Sequence, residues 1–234
     1  MTLKNMGILY IVATPIGNLQ DITQRAIKTL QSVDVIACED TRKTGILLSQ
    51  VIPIESPKPR LISYYEQNEL QRIPEIIAAL KDGLNIALVS DAGTPTISDP
   101  GFKLVREAIK EGIKVESIPG PSSVITALTV SGLPTDKFLF VGYPPRKPGH
   151  REKMFQDLKK LSVKTTIILF EAPHKILRTL EELKNVFGDI DIVLCRELTK
   201  IHEEIRREKL SSAIDHFSKI VPKGEFVVVF NLAL

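Results

Sequence analysis

Short apolar runs recur through the first half of this chain with helical patterns between most of them. That alternation constrains the fold more than any other feature of the sequence. The runs are Ile8–Ala13, Val33–Cys38, Leu61–Tyr64, Leu84–Ser90 and Ile113–Ile118. Leu84–Ser90 has the Val, Ile and Leu content of a strand buried on both faces of a parallel sheet. Alternating strands and helices define an α/β chain. Asp21 with Gln24 three residues on predicts a capping box, opening a helix with Ile22, Ala26 and Leu30 on one face. The punctuated joint Ile118-Pro119-Gly120-Pro121-Ser122-Ser123 marks the domain boundary. A second set follows, with strands near Phe138–Gly142, Thr165–Phe170, Ile190–Cys195 and Glu225–Phe230. Helices are expected near Glu152–Leu161, His174–Phe187 and Ser211–Ile220. The expectation is two α/β domains, residues 1–118 and 119–234, with a cleft between them.

Ser90-Asp91-Ala92-Gly93-Thr94-Pro95-Thr96-Ile97-Ser98-Asp99-Pro100-Gly101 then falls where such a fold keeps its ligand. It links the carboxyl end of a predicted strand to a helix whose apolar positions are Phe102, Val105, Ala108 and Ile109. In open α/β sheets that crevice is the default ligand site. Gly93 and Gly101 allow close approach of backbone to a ligand, while Pro95 and Pro100 stiffen the turn. The bland alternative is a rigid turn that binds nothing.

Composition removes several function classes. With 43% apolar and 25% charged residues among 234, the chain is of ordinary globular composition. No apolar run approaches the ~20 residues of a membrane helix, so no membrane association is expected. The amino terminus carries one lysine and then a strand-length run, which predicts no signal peptide and a cytoplasmic protein. Cys38 and Cys195 read as reduced core thiols, and the four histidines and two cysteines form no metal-ligand spacing, so no metal is expected. A net charge of +3 permits an anionic partner without demanding one. There is no G-x-G-x-x-G after the first strand, no G-x-x-x-x-G-K-[ST] and no G-x-S-x-G, which argues against dinucleotide, P-loop and serine-hydrolase chemistry. Ser122 and Ser123, following Pro-Gly-Pro, read as the cap of a helix reaching Val130, a position that also offers N–H groups to a ligand.

Six strings carry a resemblance. ATPIGNL (13–19), ACEDTR (37–42), SDAGTPTISDPG (90–101), IPGPSS (118–123), FEAPHK (170–175) and RELTKIHEE (196–204) occur in the order found in the tetrapyrrole methylase superfamily. Within it the chain resembles the branch that methylates a ribose 2′-hydroxyl of a decoding-centre cytidine in small-subunit (16S) ribosomal RNA. The resemblance implies a class III methyltransferase fold, two α/β domains with an S-adenosylmethionine cleft between them, and a homodimer. It implies cofactor contacts from Pro15, Asp91, Ala92, Gly93, Thr94, Pro95, Pro121, Ser122, Ser123, Phe170 and Glu171. Where relatives carry two histidines in a SYHEHNE-like segment, this chain has Ser63-Tyr64-Tyr65-Glu66-Gln67-Asn68-Glu69. Lys175 stands where an arginine is usual.

Methyl transfer to a ribose hydroxyl is an in-line displacement that needs positioning and a base. Asp40 and Glu171 are the candidate bases, each following a strand, and Arg42 is a candidate for binding the neighbouring phosphate or stabilising the developing alkoxide. The competing reading pairs Asp40 with Arg42 to stiffen the loop. Glu171 equally suits the methionine end of the cofactor. For RNA, either free or in the assembled small subunit, the candidates are Arg42, Lys43, Arg146, Lys147, Arg151 and Lys200. Residues 146–153 are expected to form a mobile loop that reaches phosphates, against the alternative of a solvated charge run leading into a helix. Two rival functions remain: a tetrapyrrole C-methyltransferase of the same fold, and a non-catalytic RNA-binding assembly factor.

Overall fold

The computed structural model describes residues 6–55 and 57–232, and the chain divides into two compact units, residues 1–122 and 123–234. In the first unit the elements are β1 (Ile8–Val12), α1 (Gln24–Ser32), β2 (Val35–Cys38), α2 (Thr41–Val51), β3 (Arg60–Ser63), α3 (Glu69–Lys81), β4 (Ile86–Val89), α4 (Phe102–Lys110) and β5 (Lys114–Ile118). The strands form one parallel sheet in the order β3-β2-β4-β1-β5. β2 and β4 are buried at every position because helices cover both faces. Alternation splits each strand between two cores. Val35, Ala37, Ile86 and Leu88 pack with Ile76 and Leu80 of α3 and Leu104 of α4. Ile36, Cys38, Ala87 and Val89 pack with Leu30 of α1 and Leu48 of α2. Parallel strands all end on the same edge, so the segments after β1, β2, β4 and β5 share one side of the sheet.

The second unit runs α5 (Ser123–Ser131), β6 (Phe138–Phe140), α6 (Pro148–Lys159), β7 (Thr166–Glu171), α7 (Ile176–Phe187), β8 (Asp191–Arg196), β9 (Glu204–Lys209), α8 (Leu210–Ser218) and β10 (Phe226–Asn231). Its sheet is mixed, in the order β6-β7-β10-β8-β9, with only β6 and β7 parallel. Ile167, Leu169, Ile192, Leu194, Val228 and Phe230 face a core closed by α6, α7 and α8, where Phe155, Leu180 and Phe217 are buried. Both thiols, Cys38 and Cys195, are buried, and burial pushes each above its ordinary range.

Three expectations from local pattern are corrected. The first helix is capped by Thr23, whose hydroxyl accepts from the Ala26 N–H at 3.1 Å, while Asp21 ends a short 3-10 turn. Thr23 wins because it stands three residues before the amide that needs an acceptor. The expected loop at 146–153 is instead largely helix: Pro148 opens α6, its fixed φ and missing donor suiting the first helical position. A strand at Glu204–Lys209 was not anticipated. It is an edge strand whose Glu204, Arg206 and Glu208 share one face, with Arg206 bonded to both carboxylates. Charge at a period of two signals such an edge strand as well as apolar residues do.

Candidate active site

The carboxyl edge of the parallel sheet gathers the segments after β1, β2, β4 and β5. Thr14 and Gly93 exchange backbone hydrogen bonds of 2.9 and 3.0 Å, tying the turn after β1 to the long turn after β4. The Thr94 hydroxyl donates to the Pro121 carbonyl at 3.0 Å, joining that turn to the segment after β5. Two glycines make the approach possible. Gly93 has φ +80°, and a Cβ there would lie 3.2 Å from Ile16 Cγ2; at Gly120 it would lie 3.0 Å from Ala13 Cβ. Thus Pro15, Ala92, Gly93, Thr94, Pro95 and Pro121 converge on one edge.

Asp91 is the electrostatic hub of that edge. Its Oδ1 accepts from the Asp40 N–H at 3.1 Å and its Oδ2 pairs with Lys43 Nζ at 2.6 Å. Asp40 itself is engaged twice. Its side chain caps α2 by accepting from the Arg42 N–H at 2.9 Å, and it holds the Arg42 guanidinium with two further bonds of 3.1 and 2.7 Å. Those bonds hold the Asp40 carboxyl well below the usual carboxylate range. A carboxylate so stabilised is a weak proton acceptor, and the Asp40–Arg42 pairing weighed from the sequence is present in the fold. The Arg42 side chain is 88% exposed and Lys43 is exposed beside it.

In the second unit Phe170 is the penultimate residue of β7, with its ring 4.8 Å from Phe140 and 5.5 Å from Tyr143. Glu171 is buried, accepting from the Ala172 N–H at 2.8 Å and from the Thr179 hydroxyl at 2.6 Å. Ser123 starts α5, directly after Ser122. Arg146 and Lys147 are exposed just before α6. Arg151, expected to reach RNA, is instead 2% exposed and forked onto Glu182 of α7. Helical spacing turns its side chain inwards, where a guanidinium needs a carboxylate partner. Lys200 is partly buried between Glu197 and Glu225, at 2.9 and 2.8 Å. Sequence reasoning passed over Asp99: its carboxyl lies within the field of Glu39 and Asp91, and burial pushes it up to about 6. Its place in the same string as Asp91 was the available signal.

A doubly covered parallel sheet with glycine-bearing loops along its carboxyl edge, followed by a mixed-sheet unit, defines the class III methyltransferase fold. The chain belongs to the family of tetrapyrrole (corrin/porphyrin) methylases, whose model matches residues 8–214. It is 48% identical over 226 residues to ribosomal RNA small subunit methyltransferase I of Thermotoga maritima, covering 97% of this chain and 99% of that one. It is 50% identical over 225 residues to the protein of the same name from Synechocystis, covering 96% and 78%. Among solved structures, the methyltransferase CobJ superposes with a TM-score of 0.70 at 18% identity, covering 96% of this chain and 94% of that one. The uroporphyrin-III C-methyltransferase of Thermus thermophilus, complexed with S-adenosylhomocysteine, superposes with a TM-score of 0.66 at 16% identity, covering 95% and 97%. The chain is therefore a methyltransferase, with S-adenosylmethionine as methyl donor. The donor set suits that group. Its hydroxyls and ammonium need acceptors such as Asp91, and the backbone cradle at Gly93 and Gly120 stays open only without side chains.

Proposed function

We propose that this protein methylates small-subunit ribosomal RNA, and that the acceptor is the ribose 2′-hydroxyl of a cytidine in the decoding centre. The observation that carries the reading is the likeness to relatives named ribosomal RNA small subunit methyltransferase I across nearly the whole chain. The exposed Arg42 and Lys43 beside the turn of Asp91 are consistent with an anionic polymer as substrate. The reading includes a homodimer acting in the cytoplasm on rRNA or on the assembled subunit.

In this reading S-adenosylmethionine supplies, when bound, a methyl group activated by its sulfonium. Asp91 accepts from the cofactor's hydroxyls or ammonium, with Pro15, Ala92–Pro95 and Pro121 shaping the cradle. Ser122, Ser123, Phe170 and Glu171 contribute the remaining contacts, with Phe170 offering an apolar face backed by Phe140 and Tyr143. Asp40 aims Arg42 at a phosphate next to the target ribose. Arg146 and Lys147 bind further phosphates, and Lys200 joins them at the cost of its two glutamate bonds. Holding hydroxyl and methyl carbon in line is the main catalytic contribution.

The test offers labelled S-adenosylmethionine to small ribosomal subunits from a strain lacking this gene, followed by mapping of 2′-O-methylation. A single new mark in the decoding centre is the expected outcome. Transfer to a tetrapyrrole, with none to rRNA, would replace this reading with the C-methyltransferase one.

A further inference from the structure

Unpaired bases of RNA are held by stacking on aromatic rings and its phosphates by cations, so a segment that grips RNA carries both. Tyr65, Phe102, Phe138 and Tyr143 are the exposed aromatic residues among those described. Three of them are badly placed for such a partner. The Arg106 guanidinium already lies over the Phe102 ring, 5.2 Å from its centre. Tyr65 is followed directly by the exposed carboxylate of Glu66, which repels phosphate. Phe138 opens β6, at the edge of the sheet opposite the one where β7 ends in Glu171. Tyr143 is 56% exposed and follows β6 on the edge where β7 ends.

The surroundings hold the Tyr143 ring in place. The Gly142 carbonyl accepts from the Phe170 N–H at 3.0 Å, extending the β6–β7 ladder to the residue before Tyr143. Gly142 has φ +67°, which turns the chain there. Pro144 is buried, and Pro144 and Pro145 fix two further φ angles. The Tyr143 ring meets Phe170 at 5.5 Å and 63°, and Phe170 meets Phe140 at 4.8 Å and 62°. These edge-to-face contacts brace the tyrosine and still leave more than half of it exposed. Arg146 and Lys147 follow in the same segment, both exposed. Among the described residues no ion pair holds either of them, whereas Arg42, Lys43, Arg151 and Lys200 all have carboxylate partners. A braced ring beside two uncommitted cations loses little conformational freedom when it binds.

We propose that Tyr143 is a stacking platform for one nucleobase of the RNA substrate, with Arg146 and Lys147 on the phosphates beside it. The inference deepens the rRNA reading above and rests on it. It assigns part of the affinity to the face of a ring, which salt does not screen, and the remainder to charge, which salt does.

The experiment compares Tyr143→Leu, which stays apolar but removes the ring, and Tyr143→Phe, which keeps it, with the unmodified protein on unmethylated small subunits. It measures KM for the subunits, kcat at saturation and, separately, the Kd of S-adenosylhomocysteine. Tyr143→Leu is expected to raise KM about tenfold, within the range lost with one stacked base, and to leave kcat and the Kd within about threefold. That factor should be the same at low and physiological salt, because stacking releases no counterions. Tyr143→Phe should recover most of the loss. With 4-benzoylphenylalanine in place of Tyr143, irradiation should cross-link the protein to rRNA. A KM for Tyr143→Leu within about twofold of the unmodified value overturns the proposal, as does a Tyr143→Phe variant no better than Tyr143→Leu. Cross-links to a ribosomal protein or to a second copy of this chain, and none to rRNA, overturn it by making Tyr143 a protein contact. A tenfold weaker Kd with KM intact overturns it by making Tyr143 a cofactor contact. An unmodified protein that binds S-adenosylhomocysteine yet methylates no rRNA overturns the rRNA reading itself, and the platform with it.

Discussion

Each charged side chain named by the sequence acquires its job from its partner. Arg151 is covered by protein and forked onto Glu182, so it is a structural cation. Arg151→Ala would leave Glu182 with only Arg178 and empty a buried site. The expected loss is about 3 kcal/mol of unfolding free energy, read from the urea midpoint, with RNA affinity unchanged. Asp99 offers the opposite sign. Its folded-state value near 6 stands above the ordinary 3.8, so folding favours its protonated form. Below about pH 4 both folded and unfolded chains are protonated there and nothing is lost. As pH rises from 4 to 6 the unfolded chain ionises first, so the native state loses stability, and the full loss persists above 6. Asp99→Asn should therefore melt at a higher temperature than the unmodified protein at pH 8, with the gap closing at pH 4. Thermal melts at the two pH values check it. The loop residues Asp40, Arg42, Lys43 and Asp91 were legible as a polar cluster, yet which pairs with which was not. Asp40 and Asp91 stand 51 residues apart, and no local pattern encodes their contact.

At the scale of elements, periodicity located strands and helices well where burial was one- or two-sided and apolar. α4, α5, α7 and the buried strands lie close to where the pattern predicts them. Termini were decided by finer chemistry. Thr23 rather than Asp21 satisfies an amide of the first turn of α1, so Thr23→Ala should cost about 1 kcal/mol while Asp21→Ala costs less than half of that. Chemical denaturation of both variants separates the two caps. β9 escaped notice because EIRREK carries no apolar stripe; its stability comes from pairing with β8 and from the glutamates flanking Arg206. Its other face sends Arg207 to the Val130 and Ser131 carbonyls, which close the end of α5.

At the scale of the whole molecule, the proposed RNA contact would fall to few residues. Arg146 and Lys147 are exposed, and Arg42 and Lys43 are exposed although paired with Asp40 and Asp91, whereas Arg151 is buried and Lys200 partly buried in their ion pairs. Replacing Arg146 and Lys147 together by alanine should reduce the slope of log affinity against log salt by about 1 to 2. Filter binding to small-subunit RNA between low and physiological salt measures it. Replacing Lys200 alone should change that slope less.

The sequence by itself determined that alternating strands and helices build an α/β chain, and that glycine-, proline- and acid-rich turns follow its strands. Apolar periodicity and turn chemistry are local properties, written within a few residues of where they act. Tertiary structure alone decided that β10 enters the middle of the second sheet and makes it mixed, and that a charged strand closes its edge. It also decided which carboxylates are paired with cations. How an acid titrates depends on the cations and dipoles that distant segments bring to it. Folding alone sets those distances, and this fold leaves Asp99 facing a cavity while it clamps Asp40.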